Sequence, residues 1–469
     1  MNLIALKLAP DNRVRNIILL VFSLVFYAWG EPRYVLLLLT MSLASWFFAL
    51  QIDKSESSHG LRVLFMALEC VVCLGLLGVF KYGTFFLTQV HLITGNTDPV
   101  IQIALPIGIS FYTFQLLSYV IDVYRGEVKA QPRFMIVLLY ASLFHQCIAG
   151  PIVRYSDVER ELIDRTYKQS DLNQGVMRFA FGLAKKVLLA NNCGMFVDQL
   201  LVADGASDAA AALGSRSVLA LWVGMLFYAL QIYLDFSAYS DMAIGMGLMS
   251  GFHYKENFNY PYTAASVTDF WRRWHISLGS FFRDYVYIPL GGNRKGAARQ
   301  IFNLFVVWAL TGFWHGASWN FVLWGLYWFV FLVFEKFFLL EKLKKLPAFV
   351  SHIYLLFVVY FGWVLFKFDD LKLVGTTFKG MFGLNRNPFA TTETATYISG
   401  ILLFLLLAIF ACTPIVKNLG RFFVKRAEFS DVETIAVSVG RIAIPTILLL
   451  ISAISLVGET YNPFLYFRF

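Results

Sequence analysis

Long apolar stretches recur along the whole chain and are separated by short polar segments. A helix that crosses a bilayer needs about 20 mostly apolar residues. The clearest runs are Asn16–Trp29, Arg33–Leu50, Leu61–Phe80, Ile101–Tyr124, Phe134–Ile148, Val218–Leu234, Ile301–Gly312, Ser318–Phe338, His352–Leu365, Tyr397–Ala411 and Arg441–Val457. Several runs are short, which indicates tilted entries or half-helices. The pattern predicts an all-α, polytopic integral membrane protein, one domain over residues 1–469, with about eleven transmembrane helices and short tilted, re-entrant and interfacial helices.

Composition excludes the main alternatives to a membrane protein. Hydrophobic residues make up 58% of the chain and charged residues only 15%, whereas an ordinary soluble domain has about 25% charged residues. So few charges cannot cover an aqueous surface, and five cysteines do not make a disulfide scaffold. The net charge of +9 fits attraction to an anionic inner leaflet. We expect contact with membrane lipid but no nucleic-acid binding, because no Lys/Arg run stands apart from the apolar segments.

The most unusual polar stretch is Asp269–Gly292, because it combines five charges with many aromatic residues. Helical spacing separates its residues into two faces, which predicts an amphipathic helix in the plane of the membrane interface. The apolar face would carry Trp271, Trp274, Leu278, Phe281, Phe282 and Tyr285. The polar face would carry Arg272, Arg273, Ser277, Ser280, Arg283 and Asp284. His275 falls at the edge of the apolar face and is expected to point inward, either as a packed residue held by a neighbouring carbonyl or as a functional group.

A second histidine, His315, lies in the stretch Leu310–Asn320 between two apolar runs. A polar ring at this depth is costly unless it is neutral and hydrogen-bonded. Burial keeps an imidazole neutral and able to accept a proton, which suits a general base. A packing role for this histidine is the alternative. The large rings expected around it are Trp308, Trp314, Trp319, Trp324 and Trp328.

Two carboxylates, Asp235 and Asp241, interrupt the apolar segment Tyr233–Gly251, which is rich in Ser and Gly. Small residues allow either close helix packing or a re-entrant turn. The two aspartates are predicted either to be partners of buried Arg or Tyr groups or to face a substrate. No His or Cys spacing predicts a metal site, and the Cys70–Cys73 pair lies inside an apolar run with no second pair.

At these residues the chain resembles the membrane-bound O-acyltransferase family, and in particular its bacterial alginate and peptidoglycan O-acetylation branch. The last two of the matching stretches form a paired signature that is highly specific. The stretches are Leu105–Gly126, Ala149–Tyr155, Phe181–Asn191, Tyr233–Gly245, Asp269–Arg294 and Thr311–Gly325. The YIPLGGNR ending of the fifth stretch is more similar to the O-acetylation members than to the D-alanylation members.

The resemblance implies a ring of tilted helices around a catalytic histidine that is reached from both sides of the membrane. His315 matches the catalytic histidine and His275 the second motif histidine, which would orient or polarise the thioester carbonyl or position His315. Trp314, Asn320 and Tyr285 would shape the reaction chamber. The other expected supporting or substrate-channel residues are Arg283, Asp284, Asp235 and Asp241.

The implied reaction is acyl transfer across the bacterial cytoplasmic (inner) membrane by a multi-pass protein. Acetyl-CoA or another acyl thioester would be the cosubstrate, with no tightly bound cofactor. A secreted or periplasmic O-acetyltransferase-like partner would then acetylate an extracytoplasmic polysaccharide such as alginate or peptidoglycan. The alternatives are D-alanyl transfer from a carrier-protein thioester to teichoic acid and, in another class, proton-coupled transport without chemistry.

Overall fold

The computed structural model describes residues 1–203, 205–427 and 431–458, and every regular element among them is helical. These residues form two compact units. Unit 1 contains residues 1–179 and 240–256, and unit 2 contains residues 180–239 and the chain from 257 onward. The prediction of a single domain over the whole chain stays a prediction.

Unit 1 is built on long N-terminal helices whose apolar side chains pack against the helix Ile109–Arg125. That helix is buried along almost its whole length. A π-helical turn at Gly78–Tyr82 joins two of the α-helices. The α-helices that begin in this unit are Asn2–Leu8, Asn12–Gly30, Val35–Lys54, His59–Leu77, Gly83–Thr94, Ile109–Arg125, Phe134–Ser142, Tyr155–Ile163 and Gln169–Ala184.

Unit 2 contains both histidines that the sequence singles out. Unit 2 begins within the helix Gln169–Ala184, which continues into a π-helical segment, Lys185–Ala190. Two further π-helical turns of this unit lie at Arg283–Tyr287 and Glu335–Leu339. A 3₁₀ turn covers Pro261–Thr263. The α-helices that begin in unit 2 are Asn191–Leu200, Ala209–Ser215, Val218–Met249 (continuing into unit 1), Val267–Arg273, Ile276–Phe282, Gly296–His315, Trp319–Phe334, Leu340–Leu343, Ala348–Lys367, Leu371–Met381, Thr392–Ala411, Ile415–Ala427 and Asp431–Val457.

Eight helical segments of the described chain are long and apolar enough to cross a membrane, so the protein is a polytopic membrane protein. The spans are Asn12–Gly30, Val35–Lys54, His59–Thr94, Val218–Met249, Trp319–Leu343, Ala348–Lys367, Thr392–Ala411 and Thr434–Val457. Three of the eleven predicted runs do not form such a span. Ile101–Tyr124 is helical only from Ile109, Phe134–Ile148 only as far as Ser142, and Ile301–Gly312 lies in the helix Gly296–His315. The count of eleven crossings is therefore not confirmed.

One local prediction is wrong, and one of two open alternatives is excluded. Asp269–Gly292 is not one helix, because the backbone breaks at Trp274 and His275 between the helices Val267–Arg273 and Ile276–Phe282. The segment Tyr233–Gly251 makes no re-entrant turn, since Val218–Met249 is continuous.

Close helix packing, the other role predicted for the small residues in Tyr233–Gly251, is confirmed within unit 1. A Cβ on Gly245 would lie 2.8 Å from the carbonyl oxygen of Gly175 and 2.8 Å from the backbone nitrogen of Phe179. Only a residue without a side chain allows the two backbones to approach this closely.

Candidate active site

A glycine-mediated helical hairpin positions His315. The helix Gly296–His315 ends at this histidine, and the helix Trp319–Phe334 returns beside it. A Cβ on Gly312 would lie 2.4 Å from the carbonyl oxygen of Phe321, and one on Gly325 would lie 2.4 Å from that of Trp308. The two glycines therefore let the backbones touch, which fixes where His315 lies at the end of its helix.

The imidazole of His315 lies among aromatic rings and is 2% exposed. Its ring centroid is 4.9 Å from Trp314, 4.8 Å from Trp324 and 5.3 Å from Phe366, with the rings edge to face. Trp324 was predicted to surround this histidine, whereas Phe366 comes from a helix that sequence analysis did not connect with it. The rings exclude water from the imidazole, which strengthens any electrostatic interaction that it makes there.

His275 lies at the break between two short helices and has a left-handed backbone, with φ 45° and ψ 55°. Such a conformation is unfavourable for a residue with a β-carbon and often marks a functional position. The side chain is 1% exposed, so the prediction that it points inward is confirmed. Phe236 contacts the imidazole edge to face at 4.7 Å.

Asn257 holds this break in place, and sequence analysis missed it. Its side-chain oxygen Oδ1 is 3.1 Å from Nδ1 of His275, 3.2 Å from the backbone nitrogen of Ser277 and 2.8 Å from the hydroxyl of Ser277. Its backbone carbonyl accepts a hydrogen bond from the nitrogen of Ile276 at 2.9 Å. A single asparagine 18 residues before the histidine carries no local signal of this role.

The two histidines contact the same side chain. The indole of Trp314 lies 5.9 Å from the imidazole of His275 and 4.9 Å from that of His315, centroid to centroid. Trp314 was predicted to shape the chamber, and its indole is 5% exposed. Sequence distance alone could not show this arrangement, because the histidines lie 40 positions apart.

Burial sets the protonation state of His275, which lies outside the eight candidate spans. It lowers the pKa of this imidazole from its ordinary value of 6.5 to about 3. The ring is therefore neutral at physiological pH. Its Nε2 atom is buried and has no hydrogen-bond partner among the described residues.

The other predicted chamber residues fall in different places. Asn320 is fully buried, accepts a hydrogen bond from the Ser318 hydroxyl and donates to the carbonyl of Leu365 at 3.4 Å. Tyr285 packs on Phe281 with ring centroids 4.8 Å apart.

The predicted charged residues form ion pairs. Arg283 is exposed and binds Asp284 through two contacts of 2.7 and 3.0 Å. In unit 2, the carboxylate of Asp235 is 2.7 Å from the ammonium of Lys186.

In unit 1, the carboxylate of Asp241 is 3.0 Å from the guanidinium of Arg178, which also binds Glu256. Asp241 thus has an arginine partner, as one of the two alternatives predicted, whereas the partner of Asp235 is a lysine.

A buried glutamate, Glu335, supports the helix before His275 and was also missed. Its carboxylate accepts hydrogen bonds from the backbone nitrogens of Val267 and Thr268, at 2.5 and 2.8 Å, and from the Thr268 hydroxyl at 2.7 Å. Glu335 is fully buried. It compensates the free N–H groups at the start of the helix that carries Trp271 and leads to Trp274.

Within the described ranges, no group of three His, Cys, Asp or Glu side chains is arranged to hold a metal ion. Buried imidazoles in an aromatic setting can carry out acid–base chemistry and form hydrogen bonds.

Comparison with known proteins identifies the class of protein that this fold and site define. The model of the membrane-bound O-acyltransferase family, MBOAT, matches residues 126–368. The chain belongs to this family, and it is an O-acyltransferase of the membrane.

Individual relatives place it more narrowly. The probable alginate O-acetylase of Pseudomonas putida is 34% identical over 98% of this chain and 95% of its own. The peptidoglycan O-acetyltransferase of Helicobacter pylori is 34% identical over 78% of this chain and 73% of its own. The teichoic acid D-alanyltransferase of Bacillus subtilis is 27% identical over 56% of this chain and 67% of its own.

Proposed function

We propose that the protein transfers an acetyl group from acetyl-CoA to a hydroxyl group, with His315 as general base. The observation that carries this proposal is the pair of buried histidines that both contact the Trp314 indole. Both imidazoles lie beside the same indole and can accept a proton. Because the surrounding rings exclude water, water does not compete with the hydroxyl group for the acetyl group.

The reaction balances without any redox partner or metal. The hydroxyl oxygen of the acceptor attacks the carbonyl carbon of the thioester as its proton passes to His315. The resulting intermediate collapses, the carbon–sulfur bond breaks, and the sulfur leaves as a thiolate that takes the proton back from the imidazolium. General-base assistance of this kind contributes about 10²–10⁴-fold to a rate.

The site of the reaction is the bacterial cytoplasmic membrane, since acetyl-CoA is a cytoplasmic metabolite. Polar segments rich in Lys and Arg also favour the cytoplasmic side, and these are Arg154–Lys168, Arg272–Arg299, Lys336–Lys345 and Lys417–Arg426. The acceptor lies on the opposite side. A secreted or periplasmic O-acetyltransferase-like protein receives the acetyl group there, or acts with a carrier that does, and places it on a polysaccharide.

The relatives support an acetylated polysaccharide of the alginate or peptidoglycan type. An alginate O-acetylase matches nearly the whole chain at 34% identity, whereas a teichoic acid D-alanyltransferase matches just over half at 27%. D-alanyl transfer is therefore the second candidate, and it is favoured only by that weaker similarity. Transport without chemistry loses its support, because the chain belongs to an acyltransferase family.

The direct test follows labelled acetyl groups. The purified protein is reconstituted with labelled acetyl-CoA and acceptor, and His315→Ala is compared with wild type. We expect the variant to lose at least about 10²-fold in transfer rate. His145→Ala is the matched control, since His145 is a fully buried histidine of unit 1. Undiminished transfer by His315→Ala would remove this histidine from the mechanism, and transfer from D-alanyl carrier protein but not acetyl-CoA would favour the second candidate.

A further inference from the structure

The side chain of Asn257 has a defined orientation. The backbone N–H of Ser277 can only donate, and it points at the end of the Asn257 amide at 3.2 Å. The atom at that end must therefore be the oxygen and not the NH₂ group, because two donors would repel each other. The Ser277 hydroxyl donates to the same oxygen at 2.8 Å.

This orientation fixes the tautomer of His275. An amide oxygen only accepts, so Nδ1 of His275, 3.1 Å away, must carry the hydrogen. The Ser277 hydroxyl is 3.4 Å from the same Nδ1 and, since its own proton goes to Asn257, it too faces Nδ1 as an acceptor. A neutral imidazole has one N–H, so Nε2 of His275 carries a lone pair.

The protein maintains two unfavourable features at His275. Its Nε2 is buried without a hydrogen-bond partner among the described residues, and its backbone is left-handed. Asn257 holds the ring and this backbone in place, because it accepts hydrogen bonds from three consecutive residues: the side chain of His275, the backbone of Ile276, and the backbone N–H and hydroxyl of Ser277. A buried acceptor such as Nε2 that has no protein partner and lies in a strained segment indicates a hydrogen bond that a ligand supplies.

We propose that Asn257 is a positioning residue that locks His275 as the Nδ1–H tautomer, so that Nε2 accepts a hydrogen bond from a donor group of the bound substrate. The donor is an O–H of the acyl acceptor or an amide N–H of the pantetheine arm of acetyl-CoA. This inference rests on the proposed function. It also means that His275 does not polarise the thioester carbonyl, because a lone pair cannot donate to an oxygen.

The tautomer is tested without any activity measurement. Protein labelled with ¹⁵N-histidine gives separate nitrogen signals for protonated and unprotonated ring positions, and the signals of His275 are those lost in His275→Gln. We expect protonated Nδ1 and bare Nε2 in wild type. Asn257→Leu should give a mixture of tautomers, whereas Asn257→Asp should keep Nδ1–H because a carboxylate also accepts. Wild-type protein in the Nε2–H form, or Asn257→Leu with unchanged signals, would overturn the assignment.

Asn303→Leu is the matched control, since Asn303 is also a fully buried asparagine of unit 2 and donates to the Gly292 carbonyl at 2.9 Å. It should leave the signals of His275 and the transfer rate unchanged. Asn257→Leu should lower kcat by about 10²-fold through loss of orientation, and Asn257→Asp should restore part of it. A loss of equal size in Asn303→Leu and Asn257→Leu would point to a general folding effect and against positioning.

The substrate donor is identified by titration with a thioether analogue of acetyl-CoA and then with glycerol as a minimal hydroxyl acceptor. A shift of the His275 Nε2 signal with the analogue alone assigns the pantetheine amide. A shift that needs glycerol assigns the hydroxyl, and no shift with either overturns the accepting role. Absence of acetyl transfer in protein with the expected tautomer would contradict the proposed function and leave the tautomer assignment intact.

Discussion

Substitution of Gly312 by alanine tests how His315 is positioned. The added methyl group would lie 2.4 Å from the carbonyl oxygen of Phe321 and 3.1 Å from the α-carbon of Gly325. Both are backbone atoms, so the two helices must separate. Alanine gains about 1 kcal/mol over glycine in helix propensity, and overpacking costs about 1–3 kcal/mol. We expect a net loss of about 1 kcal/mol in the free energy of unfolding.

The same change should reduce catalysis more than it reduces stability. Gly312 lies one turn before His315, so separation of the helices moves the imidazole, and a misplacement of about 1 Å can cost 10²-fold. The assay compares melting temperature in detergent with labelled acetyl transfer.

Gly400→Ala is the control for this substitution, because Gly400 lies in the helix Thr392–Ala411 and a methyl group added there would have no atom within 4 Å. Alanine there should preserve transfer and raise the melting temperature. If Gly312→Ala also melts at or above the wild-type temperature with full activity, the close contact does not position His315.

Three further outcomes follow from buried polar groups. Glu335→Ala should lower the free energy of unfolding by about 2–4 kcal/mol, because it leaves two backbone N–H groups and a hydroxyl without their acceptor; an unchanged melting temperature would contradict this. Lys186→Met should lower the free energy of unfolding by about 3–5 kcal/mol, because it removes the cation 2.7 Å from the buried carboxylate of Asp235, and the double variant with Asp235→Leu should recover most of that loss; additive losses would refute the coupling. The pKa of His275 is about 3 in the folded protein and ordinarily 6.5, so the unfolded chain binds the proton first as the pH falls. The contribution of His275 to the free energy of unfolding is therefore fully present above about pH 7 and should fall by up to about 1.4 kcal/mol per pH unit below pH 6. His275→Gln should remove this pH dependence from melting curves recorded between pH 4 and 7.

The length of a hydrophobic run did not decide whether it became a candidate span, since the short run His352–Leu365 lies in one whereas the longer run Ile101–Tyr124 is helical only from Ile109. Val218–Leu234 and Ser318–Phe338 both lie in candidate spans. Phe134–Ile148 is similarly apolar, yet its helix stops at Ser142. A run of apolar residues shows that a segment avoids water, but it does not distinguish burial in protein from contact with lipid.

The break at His275 could not be predicted from the sequence either. The periodicity from Asp269 to Gly292 is helical on both sides of the histidine, and the predicted division between buried and exposed side chains holds for Trp274, Leu278 and Arg283. What interrupts the helix is the set of hydrogen bonds that Asn257 accepts from residues 275–277, and Asn257 is distant from them along the chain.

The sequence by itself determined that the chain is a polytopic membrane protein, that His275 and His315 are unusual, and that their motifs resemble those of O-acyltransferases. These conclusions depend on composition and local order, which need no coordinates. The tertiary structure decided that both histidines contact Trp314, that Asn257 sets the tautomer of one, and that Glu335 supports the adjoining helix. Apart from the contact between the neighbours Trp314 and His315, each of these contacts joins residues far apart in the chain, and only the packing of helices brings such residues together.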